Sequence, residues 1–144
     1  MSQINENGMS LEKAKHRIDN LININNGFIE NARKNSISRE SGTSLAFEGE
    51  NIAIDVFGYR AKGKQRVVRV NDCFYMEHLF VIDFDGADFE VARLYVGGGG
   101  FVYGDLEPEY HMCDYDNQYI SSVIYKHVAY GILNSSLFAV SPKG

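Results

Sequence analysis

Apolar residues recur along this chain at two different periods, and the change of period divides it. Leu11, Ala14, Ile18, Leu21, Phe28 and Ala32 fall three and four apart, the spacing that puts side chains on one helical face. Ser10 precedes the run as an N-cap, and Glu12 stands in the first turn, where the helix dipole favours an anion. A long helix is therefore expected over 10–34. Asn25 occupies the place where the next apolar residue is due, and Gly27 weakens helix propensity beside it, so any bend belongs at 25–27. The same stripe fits a heptad seam with Asn25 at an a position. Packing across a sheet explains it more simply.

From Thr43 onward the period falls to two. Leu45 and Phe47 alternate with small or polar neighbours, as do Ile52, Ile54 and Val56, and Gly49-Glu50 between them suits a hairpin turn. A second turn is expected at 61–64, Ala-Lys-Gly-Lys, leading into Val68 and Val70. The clearest strand covers 74–84. One face carries Phe74, Met76, His78, Phe80, Ile82 and Phe84; the other mixes Tyr75, Glu77, Leu79, Val81 and Asp83. Asp85-Gly86 separates it from Phe89, Val91, Arg93 and Tyr95, and an Asp-Gly pair between alternating runs is a strong hairpin signal. The glycines at 97–100 lead into Phe101-Val102-Tyr103 as a further hairpin, and 110–113 reads as a short strand.

Helical spacing returns after 114–117, with Ile120, Ile124, Val128 and Gly131 on a stripe widened by Val123 and His127. Residues 137–140 read as a last short strand. The sum is an α+β fold: an antiparallel β-meander of five to seven strands, with a long N-terminal helix and a C-terminal helix packed on it. Residues 1–9 are expected to form a flexible lead and 10–144 one domain, in keeping with a length of 144 residues.

Composition adds little to this picture, with 44% hydrophobic and 23% charged residues, ordinary values for a globular protein. Cys73 and Cys113 are too few for a disulfide framework. The first residues lack the basic and apolar regions of a signal peptide, and no apolar run nears the ~18 residues of a membrane span. A cytoplasmic protein with free thiols and no membrane partner is expected.

Charge changes the picture more. Residues 70–116 hold eleven acidic side chains and one basic one, Arg93, whereas residues 11–69 hold eleven basic and seven acidic. An acidic half of this kind repels nucleic acid and speeds association with a basic protein. The basic cluster Arg60, Lys62, Lys64, Arg66 and Arg69 points the other way, towards a phosphate or other anion, with Tyr59 placed to stack on a base. Lysines on one hairpin are also how edge strands avoid foreign pairing. A second copy would let this patch meet the acidic half as a homodimer.

The remaining chemistry is sparse. A phosphate loop needs a helix directly after its glycines, and 97–100 are followed by a strand. His78, His111 and Cys113 are zinc-ligand types without ligand spacing, and His78 sits on the most apolar strand face, where a hydrogen-bonded core histidine is expected. Asp83, Asp85, Asp88 and Glu90 miss the glycine and Glu register of a calcium loop. No nucleophile stands in a catalytic signature, so neither a cofactor nor a metal is expected, and a small hydrolase using His78 and His111 ranks behind the two binding readings that follow. The reading is a non-enzymatic inhibitor or immunity-type protein of bacterial or phage origin. It would neutralise a basic partner such as a nuclease, without binding nucleic acid itself. Asp83, Asp85, Asp88, Glu90, Asp105, Glu107 and Glu109 would supply the charge, with Tyr103 and Tyr110 as aromatic anchors. The alternative is a small-ligand or nucleotide-binding domain using the basic residues of 60–69.

Overall fold

A computed structural model describes residues 9–37 and 43–140 of the chain. Helix α1 spans Leu11–Lys34, and the Ser10 hydroxyl caps it by accepting from the Lys13 N–H at 3.1 Å. Among the described residues seven strands follow in chain order: β1 (Ala46–Glu48), β2 (Asn51–Val56), β3 (Tyr59–Val70), β4 (Cys73–Phe84), β5 (Ala87–Gly97), β6 (Phe101–Leu106) and β7 (Glu109–Asp114). Each pairs antiparallel with the next, so the sheet is an uninterrupted meander. Helix α2 (Ile120–Leu133) and a single 3-10 turn, η1 (Ser136–Phe138), complete the order. The expected α+β meander with a helix at each end is what the chain forms. Among the described residues no helix is long and apolar enough to cross a membrane.

Both helices bury their apolar stripes in one core with one face of the sheet. Leu21 and Phe28 of α1 and Ile120, Ile124 and Val128 of α2 join Ile52, Ile54, Phe80, Ile82, Leu94 and Val96 there. Gly27 marks no break in α1: a Cβ there would stand 2.9 Å from the Tyr115 ring. Gly131 serves α2 in the same way, because a Cβ would fall 2.2 Å from the Val91 carbonyl oxygen. Of the lead expected over 1–9, residues 1–8 lie outside the described residues, and Met9 is buried.

Three expectations need correction. The second turn is not at 61–64: β3 runs unbroken through those residues, and the chain reverses at Phe57-Gly58, with φ of 54° and 79°. Ala61 and Gly63 are small because they face the core, where a Gly63 Cβ would press the Ile52 carbonyl oxygen at 2.8 Å. Small residues alternating with lysines on a close-packed strand mimic the composition of a turn. Nor does β5 alternate simply. A bulge opposite Phe80 and Val81 leaves Val91 as an extra residue, so Phe89 and Val91 share the core side with Ala92, Leu94 and Val96. Arg93 and Tyr95 then point to the other face. Finally, 137–140 is not a strand. The Phe138 and Ala139 N–H groups bond back to Ser135 and Ser136, and the Phe138 ring packs edge-to-face on Phe57 and Tyr59.

The ladder between β5 and β6 holds only at Tyr95–Tyr103 and Val96–Val102. Beyond it, the Arg93 carbonyl accepts from His127 Nε2 of α2 at 2.6 Å instead of from β6. Gly104 accommodates this wedge, since a Cβ there would lie 3.0 Å from the His127 ring. A backbone oxygen that lost its ladder partner is thus still satisfied.

Candidate interaction surface

The sheet face turned away from the helices carries most of the predicted charge, and strand register decides what that charge does. Asp55 stands opposite Arg60, and the guanidinium clasps the carboxylate through two hydrogen bonds of 2.7 Å. This pairing holds the Asp55 carboxyl below the usual carboxylate range and pushes the Arg60 pKa up. Lys62 reaches Glu48 at 3.7 Å, and Lys64 reaches Asp88 at 3.6 Å. Arg66 bonds Glu77 at 2.8 Å, and Arg93 meets the other Glu77 oxygen at 3.2 Å. Arg93 also pairs with Glu90, whose carboxyl it holds below the usual range. Arg69 donates to the Asn71 carbonyl at 2.7 Å and reaches Asp72 at 3.5 Å.

Each member of the predicted anion site, Arg60, Lys62, Lys64, Arg66 and Arg69, therefore has a carboxylate of this same chain as its neighbour. They line one strand, β3. Asp88 and Glu90, expected to face a partner, are likewise engaged with Lys64 and Arg93. The two charge populations that look segregated along the sequence interleave in space.

The acidic residues left over gather at turns. In a meander the β2–β3, β4–β5 and β6–β7 turns share one end of the sheet. Asp83 and Asp85 sit at the β4–β5 turn, and among the described residues neither has a cation within ion-pair distance. Asp83 faces Asp88 directly across the hairpin, an arrangement of like charges that costs stability. At the β6–β7 turn Asp105 accepts from the Leu106 and Glu107 N–H groups, while Glu107 and Glu109 extend into solvent. Tyr110 lies beside them, lining a groove of about 460 Å³ with Met112, Val123, Lys126, His127 and Tyr130. Tyr103 does not belong to this end. It packs edge-to-face on Tyr75, near the β5–β6 turn.

Beside Asp83 and Asp85 the same end carries aromatic rings in water. Phe57 is 49% exposed, Phe84 50% and Phe138 41%. They form a chain of edge-to-face contacts, from Phe57 to Phe138 at 5.8 Å, through Tyr59, to Phe84 and Phe89 at 6.4 Å. Phe57 holds φ at 54°, a conformation in which a bulky side chain is strained. Alternation along β4 puts Phe84 on the same face as Phe80 and Ile82, and no apolar period singles out Phe57 or Phe138. The signal for Phe57 was a large aromatic directly before the glycine of a turn.

The histidines and thiols do not converge. His78 is fully buried, and its Nε2 lies 2.8 Å from Asn25 Oδ1. His111, on β7, bonds the Cys113 carbonyl at 3.0 Å and stands 3.4 Å from Asp114. Burial pushes the Cys113 thiol up to about 11. Among the described residues no group of three or more His, Cys, Asp or Glu side chains is placed to hold a metal ion. Comparison of the chain with protein-family models, with curated proteins and with solved structures found no match.

Proposed function

We propose that this is a non-enzymatic binding protein that captures a basic partner protein at the end of the sheet formed by the β2–β3 and β4–β5 turns and η1. The observation that carries the reading is the solvent-exposed patch of Phe57, Phe84 and Phe138, with Asp83 and Asp85 on either side of Phe84 in the chain and without a cation at ion-pair distance among the described residues. Contiguous exposed apolar surface with a polar rim is typical of interaction sites. Two further features of the patch support it: a phenylalanine held in a strained backbone conformation, and the Asp83–Asp88 repulsion, which a cationic partner relieves. Glu107, Glu109 and Tyr110, at the same end, extend the acidic field. A partner that itself acts on nucleic acid would carry the matching positive surface, so the protein would serve as its inhibitor inside the cell. The pairing of Arg60, Lys62, Lys64, Arg66 and Arg69 with carboxylates argues against the anion-binding alternative.

The test begins with the partner recovered from the native host and purified. Its association with the wild-type chain is then compared with that of D83K/D85K and F57S/F138S variants across a salt series. The charge variant should associate about tenfold more slowly at low salt, with a flatter salt dependence. The aromatic variant should keep its on-rate and dissociate faster. An on-rate at low salt that ignores D83K/D85K would sink the proposal.

A further inference from the structure

The glycines at 97–100 outnumber what their turn requires. Only Gly100 has a positive φ, at 92°. Gly97 is explained by packing, since a Cβ there would press the Tyr103 ring at 3.3 Å and the Tyr75 ring at 3.5 Å. At Gly99, however, a Cβ would meet nothing nearer than the Phe101 ring at 3.8 Å, an ordinary contact. Neither backbone conformation nor crowding accounts for the missing side chain. Gly99 does, however, border a cleft.

That cleft measures about 520 Å³ and lies between the β3–β4 and β5–β6 turns, at the opposite end of the sheet from the acidic patch. Its lining includes the rings of Phe74, Tyr75, Phe101 and Tyr103, the bare backbone of 97–99, and Arg17 from α1. Tyr75 meets Tyr103 at 5.9 Å and 85°, and Phe101 meets Tyr103 at 6.4 Å and 71°. These edge-to-face contacts brace the rings as walls, where a stack would close the space. Burial, with Cys73 alongside, pushes the Tyr75 phenol up to about 12.

Arg17 supplies the charge. One of its N–H groups donates to the Asp72 carbonyl at 2.8 Å, which positions the guanidinium. The Asp72 carboxylate is turned to Arg69 at 3.5 Å. Among the described residues no carboxylate lies within ion-pair distance of Arg17. The cleft thus combines aromatic walls, backbone without side chains and a guanidinium that has no carboxylate at ion-pair distance among the described residues, within the size range of small-molecule sites.

We infer that this cleft binds a small planar aromatic anion, its ring against the tyrosines and the 97–99 backbone and its anionic group on Arg17. A mononucleotide and an aromatic carboxylate share this chemistry, and the test separates them. The full chain, labelled with nitrogen-15, is titrated with adenosine monophosphate and with indole-3-carboxylate, with adenosine and indole as uncharged controls. Alkylation of the exposed Cys73 by iodoacetamide provides a second readout, because Cys113 is buried. At least one of the anions should shift the amides of 97–99, Tyr75 and Tyr103 saturably and slow Cys73 alkylation, and its uncharged control should bind about tenfold more weakly. The anion that binds names the source. R17Q should weaken binding about tenfold, and G99L should abolish it while leaving the amide spectrum of the helices unchanged. Should G99L fail to fold, R17Q alone decides. The absence of saturable shifts with either anion up to about 10 mM, or binding indifferent to R17Q, would overturn the inference. Neither result touches the acidic patch at the other end of the sheet.

Discussion

On the helix side of β4, His78 meets Asn25; on the far side, one residue earlier, Glu77 meets Arg66 and Arg93. Both are polar networks anchored in the same strand, and both anchoring residues are almost inaccessible to water. The materials differ. The inner network is neutral: Asn25 Oδ1 accepts from His78, Asn25 Nδ2 donates to Gln65 Oε1 at 2.8 Å, and Gln65 Nε2 donates to the Glu50 carbonyl at 2.6 Å. The outer network is ionic, with a carboxylate whose side chain is 2% exposed beneath arginines that are 65% and 38% exposed. A charge is tolerated where its partners reach water, and an amide and a neutral imidazole are used at the inner end, where Asn25 and His78 are both buried. The inner network's amides also tie the middle of α1 to β3 and β4, which leaves Asn25 in the apolar stripe with a structural reason.

The sharpest way to break this comparison is to strand the outer carboxylate. R66M/R93M keeps the aliphatic cover over Glu77 but removes both charges. It should cost about 3–5 kcal/mol, the usual penalty of an uncompensated buried charge. The converse change, E77L, leaves two arginines that water can solvate, one of them still paired with Glu90, and should cost about 1 kcal/mol or less. Urea unfolding of the two variants measures the asymmetry. Equal losses would mean that Glu77 contributes packing alone.

Inside, N25L should cost about 2–3 kcal/mol, because it leaves the His78 and Gln65 groups without their partner. Adding H78L should recover part of that loss, since only Gln65 Oε1 is then left without its partner. His78 also gives the inner network a pH signature. Burial lowers its pKa from 6.5 to about 3, so the unfolded chain takes up a proton that the folded chain refuses. Stability is then complete above pH 6.5 and falls as the pH drops towards 3, with a slope of up to about 1.4 kcal/mol per unit. Asp55 and Glu90, whose pKa values are depressed, keep their contribution above the ordinary carboxylate range and lose it as the pH falls through that range to their lowered values. Between pH 6 and about 4.5 the decline should therefore flatten in N25L/H78L, as read from unfolding midpoints across that range.

Local signals carried the elements, and contacts distant in sequence carried the surface. The periods of 3.6 and 2 located α1, β4 and α2, because burial on one face is written into spacing. The Asp85-Gly86 turn was legible because its positive φ values demand those residue types. His78 as a hydrogen-bonded core residue was legible too, from the apolar face it shares. The ion pairs were not, since Arg66 and Glu77 are joined only by the register of β3 on β4. Counting charge along the chain therefore inflated both the acidic face and the basic hairpin. The aromatic patch escaped for a related reason. Phe84 continues the core alternation of β4, and only the end of the helix layer leaves it in water. The Arg17 cleft combines α1, β4 and β5–β6, and no single stretch of sequence announces it.

The smallest effect belongs to the exposed ladder, and its sign is informative. Lys64 and Asp88 are 63% and 60% exposed at 3.6 Å, so solvent and salt screen them. K64Q should lower the thermal midpoint by about 1–2 °C at low salt and by nothing measurable at high salt. D88N should move it the other way, because it removes the carboxylate that faces Asp83 across the hairpin. If D88N instead lowers the midpoint as far as N25L does, the outer ladder is structural and the acidic turn is part of the scaffold. If it raises the midpoint while slowing association with the basic partner, the turn carries charge that the fold alone disfavours. That opposition between stability and association is what a surface shaped for binding predicts, and it would separate the acidic turn from the ion pairs that hold the rest of the face together.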